Sequence, residues 1–301
     1  MLGNRVLVTG GSGFLGTRLK LERPDWSYVS SKDYDLTSST EAAKMFSDIK
    51  PLAVVHLAAL VGGIKQNSLN QADFFYENVE INTHVLRQAS LSGVNRVLSS
   101  LATCAYPRDC KHYPFDEKSF LAGAPEETNL AFAYAKRALY VQSICCRKQN
   151  NVNYSCFSPS NLYGVGDNFD LESSHFVSSM VRKIFEAENG EQIEFWGTGR
   201  PLRQQLYVDD LVKIIPLLLE KHNSELPLII APNENLSIKE MIDMCLGVSN
   251  KDIRIKFNGK FEGQYRKDGD NKELLKLIGD FKFTTFKQGI KKTYEWYEQK
   301  S

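Results

Sequence analysis

The sequence predicts an α/β fold: a Rossmann-type, doubly wound parallel sheet with a smaller C-terminal α/β substrate lobe. Three observations predict it. A short apolar strand near the N-terminus runs straight into a glycine-rich turn and a helix. Strand-like apolar runs then alternate with helix-like stretches through the first half. From about Asn168 the pattern loosens into helices and short strands.

The runs Arg5 to Val8, Ala53 to Leu57 and Arg96 to Leu98 carry strand character, the last leading into Ser99 and Ser100, and Tyr28-Val29 closes a further short strand. Ser39 to Ile49 and Phe74 to Gly93 read as helices between strands; Ser174 to Glu188 and Ser237 to Leu246 read as helices of the C-terminal part. Polar loops are expected at Asn189 to Gln192 and Asn258 to Asp270.

In Thr9-Gly10-Gly11-Ser12-Gly13-Phe14-Leu15-Gly16 the glycines permit a tight turn and close backbone approach. A helix expected to begin near Thr17 adds amide donors and a dipole that favours a pyrophosphate. Gly10, Gly13, Phe14, Leu15 and Gly16 are therefore cofactor-site candidates. After Tyr28-Val29 the chain offers Ser30-Ser31-Lys32, with acids only at Asp33 and Asp35. Hydroxyls and a lysine suit a 2′-phosphate better than a free ribose hydroxyl, so Ser31 and Lys32 point to NADP(H). The short segment between Gly16 and this strand implies a first helix trimmed by about one turn. A dinucleotide-binding domain is expected over 1–167, with some C-terminal segments returning to it, and a ligand lobe over 168–301.

The 301 residues, 42% of them hydrophobic, are enough for a sizeable core. With 37 basic against 36 acidic side chains and no long run of either sign, neither nucleic acid nor an anionic membrane surface is an expected partner. The six cysteines, at 104, 110, 145, 146, 156 and 245, show no CxxC metal spacing and no disulfide-scaffold density, so no metal is expected. Reduced thiols and the lack of a targeting or spanning segment lead us to expect a cytoplasmic, soluble protein.

The run His56-Leu57-Ala58-Ala59-Leu60-Val61-Gly62-Gly63-Ile64, together with Thr9 to Gly16, resembles the extended short-chain dehydrogenase/reductases, and specifically the GDP-L-fucose synthases. The match continues through Asn78, Thr103-Cys104-Ala105-Tyr106-Pro107, Ala135-Lys136-Arg137, Asn161-Leu162-Tyr163-Gly164, Asp167-Asn168-Phe169, Trp196-Gly197-Thr198-Gly199 and Leu206-Tyr207-Val208-Asp209-Asp210. The resemblance implies a two-stage reaction on a GDP-4-keto-6-deoxy-mannose: epimerisation at C3 and C5, then hydride transfer from NADPH to C4. It implies Cys104 and His175 as the epimerising acid/base pair, because the 4-keto group acidifies the neighbouring carbons. Cys104 then needs its thiolate favoured, for example by the field of Lys136 or of the cofactor ring. The resemblance also puts Leu57, Ala58, Ala59, Lys136, Ser160 and Leu162 along the cofactor, and Asn161, His175, Arg182, Trp196 and Arg203 along the GDP-sugar. Of these Arg203 is the expected pyrophosphate fork, and Lys183 is a further basic neighbour of Arg182. A homodimer through two long helices, Phe74 to Gly93 and Ala131 to Gln149, is implied in the same way.

Reduction in this superfamily uses a tyrosine, a lysine four residues later and a serine. The lysine aligns with Lys136, but the tyrosine position holds Phe132 and the serine position Ala102. Tyr134 lies about 200° around a helix from Phe132 and faces away, and Ser99 and Ser100 are out of register with Ala102. Loss of both hydroxyls predicts very slow 4-keto reduction. Three functions stay open: a C3/C5 epimerase of a GDP-4-keto-sugar, a complete NADPH-dependent epimerase/reductase, and a non-catalytic nucleotide-binding protein. Cys104, His175 and Lys136 together weigh against the last, and Ala102 and Phe132 against the second.

Overall fold

The computed structural model describes residues 5–260 and 263–301. Its main sheet holds β1 (Val6–Thr9), β2 (Ser27–Val29), β3 (Ala53–His56), β4 (Arg96–Ser100), β5 (Asn153–Pro159) and, after β6 (Asn161–Tyr163), β7 (Gln192–Phe195), β8 (Leu202–Arg203) and β9 (Gln205–Tyr207), the returning strand β10 (Leu228–Ile230). The order is β10-β5-β4-β3-β1-β2 with every pairing parallel. Parallel strands need crossovers, and α1 (Phe14–Glu22), α2 (Ser39–Ile49), α3 (Ile64–Leu69), α4 (Gln71–Leu91), α5 (Leu130–Asn150), α6 (Phe176–Glu186) and α7 (Val208–Lys221) lie between them in sequence. The strand order reverses between β1 and β3, and a crevice outside their carboxyl ends is where such sheets bind ligands.

Why both faces of the sheet are covered follows from the period of two along each strand. Val6 and Val8 of β1, with Val55 and Leu98, pack under Leu19 of α1 and Leu211, Ile214 and Ile215 of α7. Leu7, with Val54 and Val97, faces Met45 and Phe46 of α2, Val85 and Leu86 of α4 and Leu139 of α5 on the other side. All of these are buried, and trimming one such as Leu98 to Ala costs about 2–5 kcal/mol by lost transfer and cavity terms.

The rest of the chain builds a third core. It joins Val177 and Met180 of α6, Met241 and Ile242 of α8 (Ile238–Ser249) and Phe286 and Ile290 of α10 (Phe286–Lys300) around Tyr163, Phe195 and Tyr207. Ser237 caps α8 reciprocally with Glu240, and Thr285 caps α10 with Gln288, which sets both N-termini. Small sheets flank this core: β11 (Leu236–Ser237), β8 and β13 (Arg266–Lys267) in one, β12 (Arg254–Phe257) with β7 in another, and β6 with β9 in a third. A last helix, α9 (Lys272–Ile278), lies between β13 and α10.

Three expectations need correcting. The first helix starts at Phe14, ahead of the predicted Thr17, because Gly13 takes the N-cap position and Thr17 N already donates to Gly13 O at 2.9 Å. The stretch Asn258 to Asp270 is not all loop: Arg266–Lys267 forms β13, held in register by β8. Gln192 likewise opens β7 instead of closing a loop. Strands this short carry too few residues for an alternation signal.

Candidate active site

At the mouth of β1 the chain turns through Gly10, whose φ of 76° lies in the left-handed region. A Cβ there would meet Ala58 N at 2.8 Å, so only glycine lets the turn lie against the Leu57-Ala58 backbone after β3. Gly11 N donates to Val29 O at 2.7 Å and Gly13 N to Gly10 O at 3.1 Å, which folds the loop back on itself. Gly16 packs its Cα against the Gly10 carbonyl, where a side chain has no room. The N-terminus of α1 has no side-chain cap and no acid in its first turn. Its free amides and dipole form a cradle that fits a pyrophosphate, with Phe14 and Leu15 beside it.

Beyond β2, Asp33 accepts from Ser30 N at 2.8 Å and Ser30 Oγ at 2.7 Å, which ties that acid into its own turn. Ser31 and Lys32 are left exposed next to it. On the opposite wall Asn78 donates to Leu60 O and accepts from Leu60 N, both at 3.0 Å, pinning the Ala58-Ala59-Leu60 segment. His56 at the end of β3 accepts from Thr9 Oγ1 at 2.8 Å and donates through Nε2 to Asn82 Oδ1 at 3.0 Å. Asn82 is oriented for this by its own amide, which donates to Ala135 O at 3.4 Å. Burial and then the Lys136 charge push His56 down to about 3, so the ring is neutral.

Lys136 is buried in α5 and reaches the end of β4, where Nζ donates to Ser100 O at 2.8 Å. Burial pushes its ammonium down to about 8. Four residues earlier on the helix, the Phe132 ring lies 5.5 Å from that Nζ. Tyr134 is on the other side, 42% exposed and covered by Arg137 at 5.3 Å, so its phenol is turned away from Lys136. Ala102, extended at φ −158°, leads into the short turn Thr103–Ala105 that carries Cys104. Ser99 is fully buried in β4, and Ser100 Oγ donates to Leu101 O at 3.3 Å. Neither serine hydroxyl stands at the Ala102 position. The half-buried Cys104 thiol is pushed up by burial and pulled back by Lys267 and then Lys136.

His175 takes the N-cap position of α6 with its side chain exposed. Just before it, the Ser174 carbonyl comes within 3.4 Å of where a Gly63 Cβ would sit, which brings the His175 segment onto the Gly62-Gly63 loop. Asp167 accepts from Ser178 Oγ and feels the His175 charge, while burial pushes its carboxyl up. Ser160, buried with no hydrogen-bond partner for its Oγ among the described residues, precedes Asn161 and Leu162 of β6.

The basic residues separate. Arg182 pairs with Glu186 at 2.8 Å and donates to Phe169 O at 3.2 Å, so it is engaged on the outer side of α6. Its neighbour Lys183 instead lies 5.1 Å from the Phe195 ring centre, with burial lowering its affinity for the proton. Trp196 is 57% exposed beside Gly197, and Arg203 in β8 donates to Leu202 O at 2.7 Å, with burial likewise favouring its neutral form. Sequence reasoning missed Lys267 and the His56–Asn82 pair. The β13–β8 pairing that places Lys267 left no periodic signal, and the His56 partner lies on a different element.

A glycine turn against β3, a buried lysine beside the end of β4 and a cysteine on the following turn define a dinucleotide-binding epimerase/dehydratase. In line with this, residues 6–230 match the model of the NAD dependent epimerase/dehydratase family, and the chain belongs to that family. Within it the chain is similar to GDP-L-fucose synthases. It is 34% identical to the GDP-L-fucose synthase of Dictyostelium discoideum, over 97% of this chain and 94% of that one. It is 33% identical to a probable GDP-L-fucose synthase of Drosophila melanogaster, over 97% of each. Among solved structures, a GDP-L-fucose synthetase from Naegleria fowleri bound to NADP superposes with a TM-score of 0.90 at 31% identity, covering 98% of this chain and 92% of that chain.

Proposed function

We propose that this chain epimerises C3 and C5 of a GDP-4-keto-sugar and has a crippled 4-keto reductase. The observation that carries the reading is the asymmetry of the site. Cys104, His175 and Lys136 are present, while Phe132 and Ala102 stand where a proton donor and a carbonyl hydrogen-bond partner would be. The Cys104 thiolate takes a proton from a carbon next to the 4-keto group and becomes a thiol; the charge passes to the carbonyl oxygen as an enolate. His175, on the segment that folds over Gly62-Gly63, returns a proton from the other face. Lys136, next to Cys104, offers the only ammonium of α5 buried at this point and stabilises negative charge there.

NADP(H) is the cofactor of the same proposal. The Gly10–Gly16 cradle would hold its pyrophosphate, Ser31 and Lys32 its 2′-phosphate, Leu57 to Ala59, Ser160 and Leu162 the rest of the molecule, and Lys136 its ribose. When bound it supplies a hydride equivalent to C4. With neither Tyr nor Ser at 132 and 102, the developing alkoxide lacks both hydroxyls that the superfamily places there. Arg203, Lys183, Trp196 and Asn161 are proposed for the GDP-sugar, with Arg182 an outer neighbour. We place the division between cofactor and sugar-nucleotide lobes near residue 167. A homodimer over α4 and α5 is supported by exposed Phe75, Tyr76, Tyr134 and Val141 on those helices. A cytoplasmic setting is supported by the six free cysteines.

Incubation with GDP-4-keto-6-deoxy-mannose in D₂O, with and without NADPH, tests this. Deuterium at C3 and C5 with little NADPH oxidation supports it. NADPH oxidation as brisk as the exchange favours the complete epimerase/reductase, the reading that the synthase relatives support. Neither signal removes both.

A further inference from the structure

Cys104 sits on a short turn, and two consecutive residues of α5 bracket that turn. Upstream, Leu101 N donates to Phe157 O of β5 at 2.7 Å, and Lys136 Nζ donates to Ser100 O at 2.8 Å. Inside the turn, Ala105 N donates to Ala102 O at 3.1 Å and Tyr106 N to Thr103 O at 3.2 Å. Ala105 O stands at the end of the turn, and Arg137 Nε donates to it at 2.8 Å. Neighbouring side chains on a helix diverge by about 100°, so Lys136 and Arg137 reach opposite ends of the Ser100 to Ala105 segment.

Arg137 is an expensive residue for packing alone. It is buried, its Nη2 has no hydrogen-bond partner among the described residues, and burial disfavours its charge. An apolar side chain would fill the same space without that penalty. What the guanidinium adds is the Ala105 bond and a stack with Tyr134, whose ring centre lies 5.3 Å from its Cζ. Tyr134 is 42% exposed, so it covers Arg137 from the solvent side. Beyond the turn, the Tyr106 ring is fixed against Phe115 at 4.3 Å and Phe120 at 5.0 Å. Both flanks are thus anchored by other elements, and Arg137 acts on the turn between them.

Resting on the reading of Cys104 as the proton-abstracting group, we propose that Arg137 is its positioning residue: from α5 the guanidinium holds Ala105 O and keeps the turn in the form that presents the thiol, with Tyr134 as its cover. Lys136 secures the near end of the segment and Arg137 the far end. The phenol that is turned away from Lys136 thereby acts on the cysteine through Arg137. Placement matters to the reaction, because a shift of about 1 Å in a reacting group costs about 10²-fold in rate.

The test follows alkylation of Cys104, Cys156 and Cys245 by iodoacetamide, each on its own peptide by mass spectrometry, in the unchanged chain, Arg137→Met, Arg137→Lys and Tyr134→Ala. Cys156 and Cys245 are buried in the hydrophobic core and report general loosening. Loss of a hydrogen bond from a charged donor predicts that Arg137→Met speeds Cys104 alkylation about tenfold, with the two core thiols unchanged and Arg137→Lys returning most of the way. Deuterium exchange at C3 and C5 of GDP-4-keto-6-deoxy-mannose falls about tenfold or more in kcat in Arg137→Met while KM stays within about twofold, and Arg137→Lys recovers most of it. Tyr134→Ala retains the fold because its site is exposed, and it speeds Cys104 alkylation about two- to fivefold; where Arg137→Met unfolds, this variant decides. Cys104 rates equal to those of the unchanged chain overturn the proposal. So does a common rise of all three thiols, or an equal loss of exchange in Arg137→Met and Arg137→Lys, since either marks a merely structural role. The alkylation needs no substrate. Absent exchange in the unchanged chain therefore counts against Cys104 as the base, while the alkylation rates still decide on Arg137.

Discussion

The Lys136 ammonium lies 5.5 Å from the centre of the Phe132 ring while it donates a 2.8 Å hydrogen bond to Ser100 O. The lysine of the reductase set is thus held in place by the backbone of β4, independently of any phenol at position 132. In the proposed scheme that arrangement leaves the lysine placed to serve Cys104 and the cofactor ribose without a phenol beside it.

Cys104→Ala removes the proposed base and lowers deuterium exchange by about 10² to 10⁴. His175→Gln lowers epimer formation by a similar factor while leaving partial exchange at the first carbon, since abstraction precedes its step. Because burial raises the Cys104 thiol above its ordinary value, the thiolate is still a minor form at pH 8, and exchange in the unchanged chain keeps climbing from pH 6 to pH 8 without levelling off. NMR of the C3 and C5 positions against pH checks all three statements.

Gly10→Ala forces a Cβ to within 2.8 Å of Ala58 N at a φ of 76°. The strain destabilises the chain by about 1–3 kcal/mol, and the displaced loop weakens NADP binding at least tenfold. Chemical denaturation and cofactor titration measure the two effects. An unchanged NADP affinity contradicts the assignment of this turn to the pyrophosphate.

Acid destabilises this fold through two buried histidines. Burial pushes His56 down to about 3 and His222 to about 4, below the ordinary value of 6.5. Between those values the unfolded chain binds protons that the folded chain does not, so stability is present above pH 6.5 and is lost as pH falls. From pH 7 to pH 5 each contributes about 2 kcal/mol of loss. Urea midpoints at the two pH values check this; His222→Gln removes its share.

How legible the molecule was depends on where each feature is encoded. The Gly10–Gly16 turn and the β3 and β4 strands could be read because consecutive residues carry them, and so could the helices of the main sheet, whose apolar faces recur with the helical period. The turning away of Tyr134 followed from helix geometry alone, and its cover by Arg137 agrees. Lys267 was hidden because a two-residue strand is set by its partner β8, not by its own pattern. The engagement of Arg182 with Glu186, against the half-buried Lys183 one residue later, was equally invisible, since adjacent residues on a helix face directions about 100° apart and only the packed partner says which is inside.

Tyr76→Glu together with Val141→Glu places charges on the exposed apolar faces of α4 and α5. Light scattering is expected to show a dimer for the unchanged chain and a monomer for this pair of changes, with the fold retained because both positions are exposed. A monomer in both cases removes the dimer from the account.

The measurement that bears most directly on the central claim compares NADPH oxidation by the unchanged chain and by the double variant Ala102→Ser/Phe132→Tyr, with GDP-4-keto-6-deoxy-mannose as substrate and C3/C5 deuterium exchange followed in parallel. The account predicts comparable exchange in both and at least about a 10²-fold faster oxidation in the variant, because two hydroxyls return to a site whose lysine is already placed. Equal, brisk oxidation by both would contradict it.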